Sequence, residues 1–291
     1  MNKKQFFYIT FLSLMIEIIT SPLRGHVSSM ACAVVTFTLY FIFTNLMLKN
    51  YTSKLKSKRI LLACLVGCLI IQLPFRVIAF RGTLISFPDF LFHLFGIFMG
   101  YFFYFSGKYI KSGIVVISIF CCTFLYFKGY DLWIHKLNFG TFSGIIQDKE
   151  QTPEFQFTSM DGNSITNTDF AEKYVILDFW NSSCGVCFRE FPKFEDQYVK
   201  YQSKNNIALY SVNVLLKHEA QGSIDPFKII SEKGYTFPTL QGGRVEDAKN
   251  IFGVDVYPTV IVLNPIGVMV YRGNVEGAFS FVEDELKRNI L

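Results

Sequence analysis

Long apolar runs fill the first 127 residues, whereas beyond residue 128 apolar and polar positions interleave and turn residues recur. A helix needs ~20 predominantly apolar residues to cross a bilayer. Runs at about 5–20, 27–48, 60–80, 84–105 and 110–127 approach that length and predict an α-helical membrane domain of about five spans. The first run reads as a span rather than a removed leader, because it has no small-residue cleavage site and another apolar run follows within seven residues. Past a linker at 128–147, whose Tyr130 and Trp133 suit a membrane interface, the pattern changes to short strand-like runs separated by helical ones. Strands are expected at Phe155–Thr158, Tyr174–Trp180, Ile207–Val214, Thr259–Asn264 and Val268–Arg272. Helices are expected over Cys187–Lys204 with a kink at Pro192, from Asp225-Pro226 to Gly234, over Val245–Phe252, and over Phe279–Leu291. The alternation predicts an α/β domain at 148–291 with a mixed central sheet covered on both faces.

Charge changes the picture by giving the chain a direction. The formal net charge is +5. With the N-terminus inside, the inner loops hold nine cations, Lys3, Lys4, Lys49, Lys54, Lys56, Lys58, Arg59, Lys108 and Lys111, against three outer ones, Arg24, Arg76 and Arg81. An odd number of spans then puts the C-terminal domain on the outer, periplasmic side of the cytoplasmic membrane. The basic loops account for the charge, so no nucleic-acid partner is inferred.

The candidate chemistry sits just after the run Tyr174–Trp180, at Cys184-Gly185-Val186-Cys187. Two cysteines at i and i+3 where a strand turns into a helix suit dithiol chemistry. The first sulfur lies where unpaired backbone N–H groups favour a thiolate, and the second lies one turn on, within reach for a disulfide. A C-x-x-C alone also fits half of a zinc site, but this half of the chain holds no other cysteine and only His218 as a downstream histidine. Asp178 falls in the middle of YVILDFW, where a carboxylate is costly unless it has a task.

The stretch ILDFWNSSCGVCFREFP, with Tyr257-Pro258-Thr259 before the run VIVLN, resembles the active-site segment of the thioredoxin superfamily. Thr152-Pro153-Glu154-Phe155, Asp161-Gly162, Glu190-x-Pro192 and Pro265-x-Gly267 narrow the resemblance to TlpA-like thiol-disulfide oxidoreductases, over about residues 150–291. It implies a thioredoxin fold with an extra strand-helix insertion at Lys217–Leu240, and a cis Pro258 facing the CxxC. It also implies that Cys184 is the nucleophile, Cys187 the resolving thiol and Asp178 its proton acceptor, with Tyr257 and Pro258 contacting substrate and Trp180 packing under the active-site turn, where it is a candidate for substrate contact as well as for the core. Glu190 reads as a plain helix-surface residue. Ser183 stands where a tryptophan is usual, and Gly185-Val186 is an unfamiliar dipeptide, so the direction of electron flow rests on resemblance, which favours a reductase.

The function expected is therefore that of a membrane-anchored thiol-disulfide oxidoreductase. Its partners would be disulfide-containing exported proteins, an unidentified membrane or periplasmic electron donor, and the lipid bilayer. The exchange needs no metal or organic cofactor. In the alternative, the membrane half is a transporter or sensor and the C-terminal domain is its redox switch or docking module. In plan the chain also resembles bacterial vitamin K epoxide reductase fusions, but it lacks their membrane CxxC and loop cysteines. Cys32, Cys64, Cys68, Cys121 and Cys122, all within predicted spans, read as small hydrophobes rather than as an electron relay. Glu17, Arg76, Asp89 and His93 fall toward the outer ends of spans, where charge is expensive, and are candidates for one shared cluster.

Overall fold

The computed structural model describes residues 3–147, 151–220 and 222–288, so the last three residues of the expected terminal helix lie outside it. The chain divides into two compact units, Met1–Ile134 and His135–Leu291.

Unit one is built on five helices: α1 (Lys3–Thr20), α2 (Ser29–Tyr51), α3 (Ser57–Ile78), α4 (Phe87–Phe105) and α5 (Lys108–Phe124). With the helical turns adjoining them, all five are long and apolar enough to cross a membrane. Their outward faces are apolar too, as at Ile19, Val77, Ile78 and Phe120. Helix α1 packs along α3 and α2 along α4. The second contact is so close that a Cβ placed on Gly96 or Gly100 would lie 2.5 or 2.4 Å from the carbonyl oxygens of Phe37 and Phe41. Small residues four apart let two helix backbones touch in this way. The expected linker is largely structured. A π-helical turn at Leu125–Gly129 leads straight into α6 (Tyr130–Phe139), and the chain beyond it runs beside a strand, with Arg272 N–H donating to Gly144 O (2.8 Å) and Ile146 N–H to Val270 O (3.1 Å). Apolar residues at Leu132, Trp133 and Ile134 prolong the helix past the point where hydropathy alone would stop it.

Unit two is a seven-stranded sheet in the order β2-β1-β5-β4-β3-β6-β7. The strands are β1 (Gln156–Thr158), β2 (Ser164–Thr166), β3 (Tyr174–Trp180), β4 (Ile207–Leu215), β5 (Thr239–Arg244), β6 (Thr259–Leu263) and β7 (Met269–Gly273). The helices are α7 (Gly185–Tyr201), α8 (Pro226–Glu232), α9 (Val245–Phe252) and α10 (Val275–Arg288). Strand β3 runs parallel to β4 and antiparallel to β6, and every one of its residues is buried. The insertion differs in order and extent from the expectation. Its helix α8 comes first, its strand β5 follows, and the strand runs past Leu240 to Arg244.

Two cores flank the sheet. Val175, Leu177 and Phe179 join Val212, Ile261 and Phe252 on one side, while Ile176 and Trp180 join Cys187, Phe191 and Phe194 on the other. Side chains alternate along a strand, so Asp178 faces the second core, between Ile176 and Trp180 and toward α7.

Candidate functional site

The tight turn after β3 is made by its own polar residues. Asn181 accepts from Ser183 N–H through Oδ1 (3.1 Å) and from Cys184 N–H through its carbonyl (3.1 Å). Cys184 thereby becomes the N-cap of α7, and its Sγ accepts the Cys187 backbone N–H at 3.1 Å. A sulfur so placed receives both a hydrogen bond and the positive end of the helix dipole, the two influences that favour a thiolate. Cys184 and Cys187 are joined in a disulfide with Cα atoms 5.3 Å apart. The two sulfurs are unequal, since Cys184 is partly exposed and Cys187 fully buried.

Asp178 is fully buried, and neither carboxyl oxygen has a hydrogen-bond partner among the described residues. Burial, with a further push from the Glu190 carboxylate, raises its pKa to about 8. At neutral pH it is therefore mostly a neutral acid on the face of the sheet that Cys187 packs against. The Tyr257–Pro258 peptide is cis. Phe179 pairs with Thr259, so the register puts Pro258 at the end of β6 that adjoins the C-terminal end of β3, the end from which the CxxC turn departs.

Residues 149–272 match the AhpC/TSA family. The thiol-disulfide oxidoreductase ResA of Geobacillus thermodenitrificans is 28% identical over 139 residues, covering 48% of this chain and 74% of the relative. ResA of Bacillus thuringiensis subsp. konkukian is 24% identical over 179 residues, 60% of this chain and 93% of the relative. Among solved structures, the thioredoxin domain of a thiol-disulfide oxidoreductase from Bacteroides vulgatus aligns with a TM-score of 0.41 at 23% identity, covering 48% of this chain and 97% of that one. The C-terminal half is a TlpA-like domain of the thioredoxin superfamily. Its enzyme class is thiol-disulfide oxidoreductase.

Within the TlpA-like domain one expectation is corrected. Trp180 has no exposed surface and packs edge-on against Phe188 and Phe191, so it supports the active-site turn from beneath and offers nothing to a substrate. A large aromatic at the end of a strand buried on both faces finds more apolar contact inward than outward. Tyr257 and Pro258 are half-buried and do present surface. Two residues that sequence reasoning passed over hold the turn. Asn181 is one, and an Asn directly after the strand and before the first cysteine is a turn-forming signal that could have found it. Glu219 is the other: it accepts from Ser182 Oγ, and from Leu216 N–H at 2.7 Å. It lies on a distant loop with nothing in the local pattern to mark it.

In unit one, three of the four charged candidates come together and the fourth does not. His93 Nδ1 lies 2.8 Å from Glu17 Oε1, and His93 Nε2 lies 3.0 Å from Asp89 Oδ1. Arg76 instead donates to Ser86 O (2.9 Å) and covers the Phe90 ring. Arg24 takes the place expected for it, with Nε 2.5 Å from Asp89 Oδ2. Cys32, Cys64 and Cys68 are buried, and Cys121 and Cys122 are partly exposed on α5.

Proposed function

We propose that the chain is a membrane-held thiol-disulfide oxidoreductase that faces outward and reduces disulfides of exported proteins through Cys184 and Cys187. The observation that carries this reading is the inequality of the two sulfurs, one partly exposed and capping a helix N-terminus, the other buried behind it. Cys184 thiolate attacks one sulfur of a substrate disulfide, forming a mixed disulfide and expelling the other substrate sulfur, which takes up a proton. Cys187 gives its proton to Asp178 in the ionised fraction that a pKa of about 8 leaves near neutral pH, and attacks the Cys184 sulfur. The second substrate thiol leaves, and the domain ends in the oxidised, disulfide-bonded form. When a dithiol donor reopens the pair, the proton held by Asp178 returns to the Cys187 sulfur. A pKa of about 8 lies near that of a thiol, which suits a group that exchanges a proton with one. Tyr257 and Pro258, at the edge of the site, are proposed to receive an extended substrate segment.

Outward placement rests on the excess of cations in the loops assigned to the inner side. A reporter active only outside the cytoplasm should work when fused after residue 150 and fail when fused within the 49–59 loop; the reverse pattern sinks the exported-substrate reading. Direction is tested by equilibrating the pair with glutathione. A potential near ~−270 mV means a reductase and one near ~−120 mV an oxidase. A second reading, in which the N-terminal half does work beyond anchoring, is favoured by one observation, the buried charged network around His93.

A further inference from the structure

Four helices of unit one each send polar side chains to one buried point. Glu17 comes from α1, Tyr40 from α2, Cys68 and Gln72 from α3, and Asp89 and His93 from α4, and none is more than 2% exposed. Each charged group in such an interior costs several kcal/mol to desolvate, and leucines would hold the helices together at no such cost. The donor set is the informative part. The carboxylate of Glu17, the sulfur of Cys68 and a ring nitrogen of His93 present ligand atoms that all lie within 4.8 Å of one another. A second trio, Cys32, Asp89 and His93, meets the same description on the other side of the ring.

The two trios differ in charge. Asp89 is already engaged by the permanent cation of Arg24, 2.5 Å away, which opposes a metal ion there. Glu17 meets no permanent cation like Arg24: besides His93 Nδ1 at 2.8 Å it is held by neutral donors, Tyr40 OH at 2.9 Å and Gln72 Nε2 at 2.6 Å. Asp89 is better suited to a supporting role. Its contact with His93 Nε2 orients the ring and leaves Nδ1 facing Glu17 and the first trio. Carboxylate–histidine pairs of this kind back most metal-bound histidines.

We propose that Glu17, Cys68 and His93 form a binding site for a borderline divalent transition metal, zinc, with Asp89 and Arg24 as its outer support. Sulfur, imidazole and carboxylate together suit zinc, whereas magnesium and calcium take oxygen ligands. Ligand atoms around a tetrahedral zinc stand about 3.5 Å apart, so no pair of the trio, all within 4.8 Å, needs to close by more than about 1.3 Å, and the His93 Nδ1–Glu17 Oε1 pair, at 2.8 Å, needs to open by somewhat less. Zinc replaces the proton between His93 Nδ1 and Glu17 and the thiol proton of Cys68. The thiolate and carboxylate then balance its two charges. Three protein ligands leave a fourth position for a water or a small ligand, the pattern of a working site rather than a structural one. The site lies outside the CxxC chemistry and stands or falls independently of it.

Cobalt(II) is the probe, because a thiolate ligand gives it a near-ultraviolet charge-transfer band. The full chain carrying Cys184→Ser and Cys187→Ser, reduced in detergent, should take up one cobalt ion per chain with that band, and zinc should displace it. Cys68→Ser should abolish the band, His93→Gln should abolish binding, Asp89→Asn should weaken it about 10- to 100-fold, and Cys32→Ser should leave it unchanged. Thermal melting of the helical signal checks that each variant is folded, and Glu17→Gln, which keeps the sulfur, should retain a weakened band. Failure of the folded parent chain to bind cobalt would mean a hydrogen-bonded proton network only, and would overturn the proposal. A band that survives Cys68→Ser, or one lost in Cys32→Ser, would do so equally.

Discussion

Both halves of this chain bury carboxylates, and they treat them in opposite ways. Asp178 in the TlpA-like domain has no partner for either oxygen among the described residues, whereas Glu17 and Asp89 in the N-terminal half are surrounded by donors, among them His93, Tyr40, Gln72 and Arg24. An acid left alone in an apolar core lowers its cost by holding a proton, so it becomes a proton carrier. An acid ringed by cations and donors is retained as part of a fixed array, where geometry rather than protonation carries the function. On the proposed mechanism, the comparison separates a group that changes protonation in every cycle from groups held in a hydrogen-bonded array.

The largest expected effect concerns the sulfur that Asp178 serves only indirectly. Cys184→Ser should abolish disulfide exchange, while Cys187→Ser should accumulate mixed disulfides with partner proteins on non-reducing gels. At pH 6 to 7 the reduced chain should be alkylated first at Cys184, and preferential labelling of Cys187 would reverse the assignment.

Next comes Asp178 itself. Asp178→Asn should slow the exchange by about 10²-fold or more if its proton transfer is part of the step. It should also remove a pH dependence of stability. The carboxyl pKa is raised on folding, from the ordinary value near 4 to about 8. The folded state therefore binds more protons across that window, and stability falls as pH rises through it, by about 1.4 kcal/mol per pH unit. Urea titrations from pH 5 to 9, followed by Trp180 fluorescence in a Trp133→Phe background, should show this slope in the parent and a flat line in Asp178→Asn. A parent as stable at pH 9 as at pH 5 would remove the distinction between the two halves.

Glu17→Gln should cost the N-terminal half about 3–5 kcal/mol, the usual penalty for taking one member from a buried charged group. Melting of the helical signal in detergent measures it, and a neutral result would mean that the array is not the fixed structure described. The smallest effect expected is none at all. Changing Cys32, Cys64, Cys121 and Cys122 together to Ala should leave the in-cell redox state of Cys184 and Cys187 as it was, and a shift toward the oxidised form would make those cysteines an electron path.

What could be read from the sequence follows the strength of the burial signal. The apolar runs marked the helices of unit one, and the unbroken run of β3 marked both the central strand and the anomaly of a carboxylate within it. Strand β2 was missed because three residues, Ser164–Thr166, carry too little pattern. Strand β5 was misplaced because TLQGGR is polar and glycine-rich, and its pairing with β4 and β1 is settled by distant partners rather than by its own residues. In the polar array, Asp89 and His93 were readable as one face of a helix at i and i+4. Arg24 was not, because a cation at the end of an apolar run carries the same sequence signal whether it meets water or, as here, turns back to a buried acid.

The glycine contact between α2 and α4 has a consequence for how this protein tolerates change. His93 lies three residues before Gly96, one helical turn from the place where the two backbones touch. A methyl group added at Gly96 or Gly100 meets no polar atom of the array, yet it must wedge the helices apart and carry His93 and Asp89 with α4. Positions a turn or more from any chemistry are thus as intolerant as the ligating side chains themselves, while the exposed Leu91 and Phe98 between them are open to drift among apolar residues. A catalogue of harmful substitutions along this helix would trace the spacing of its glycines before it traced its charges.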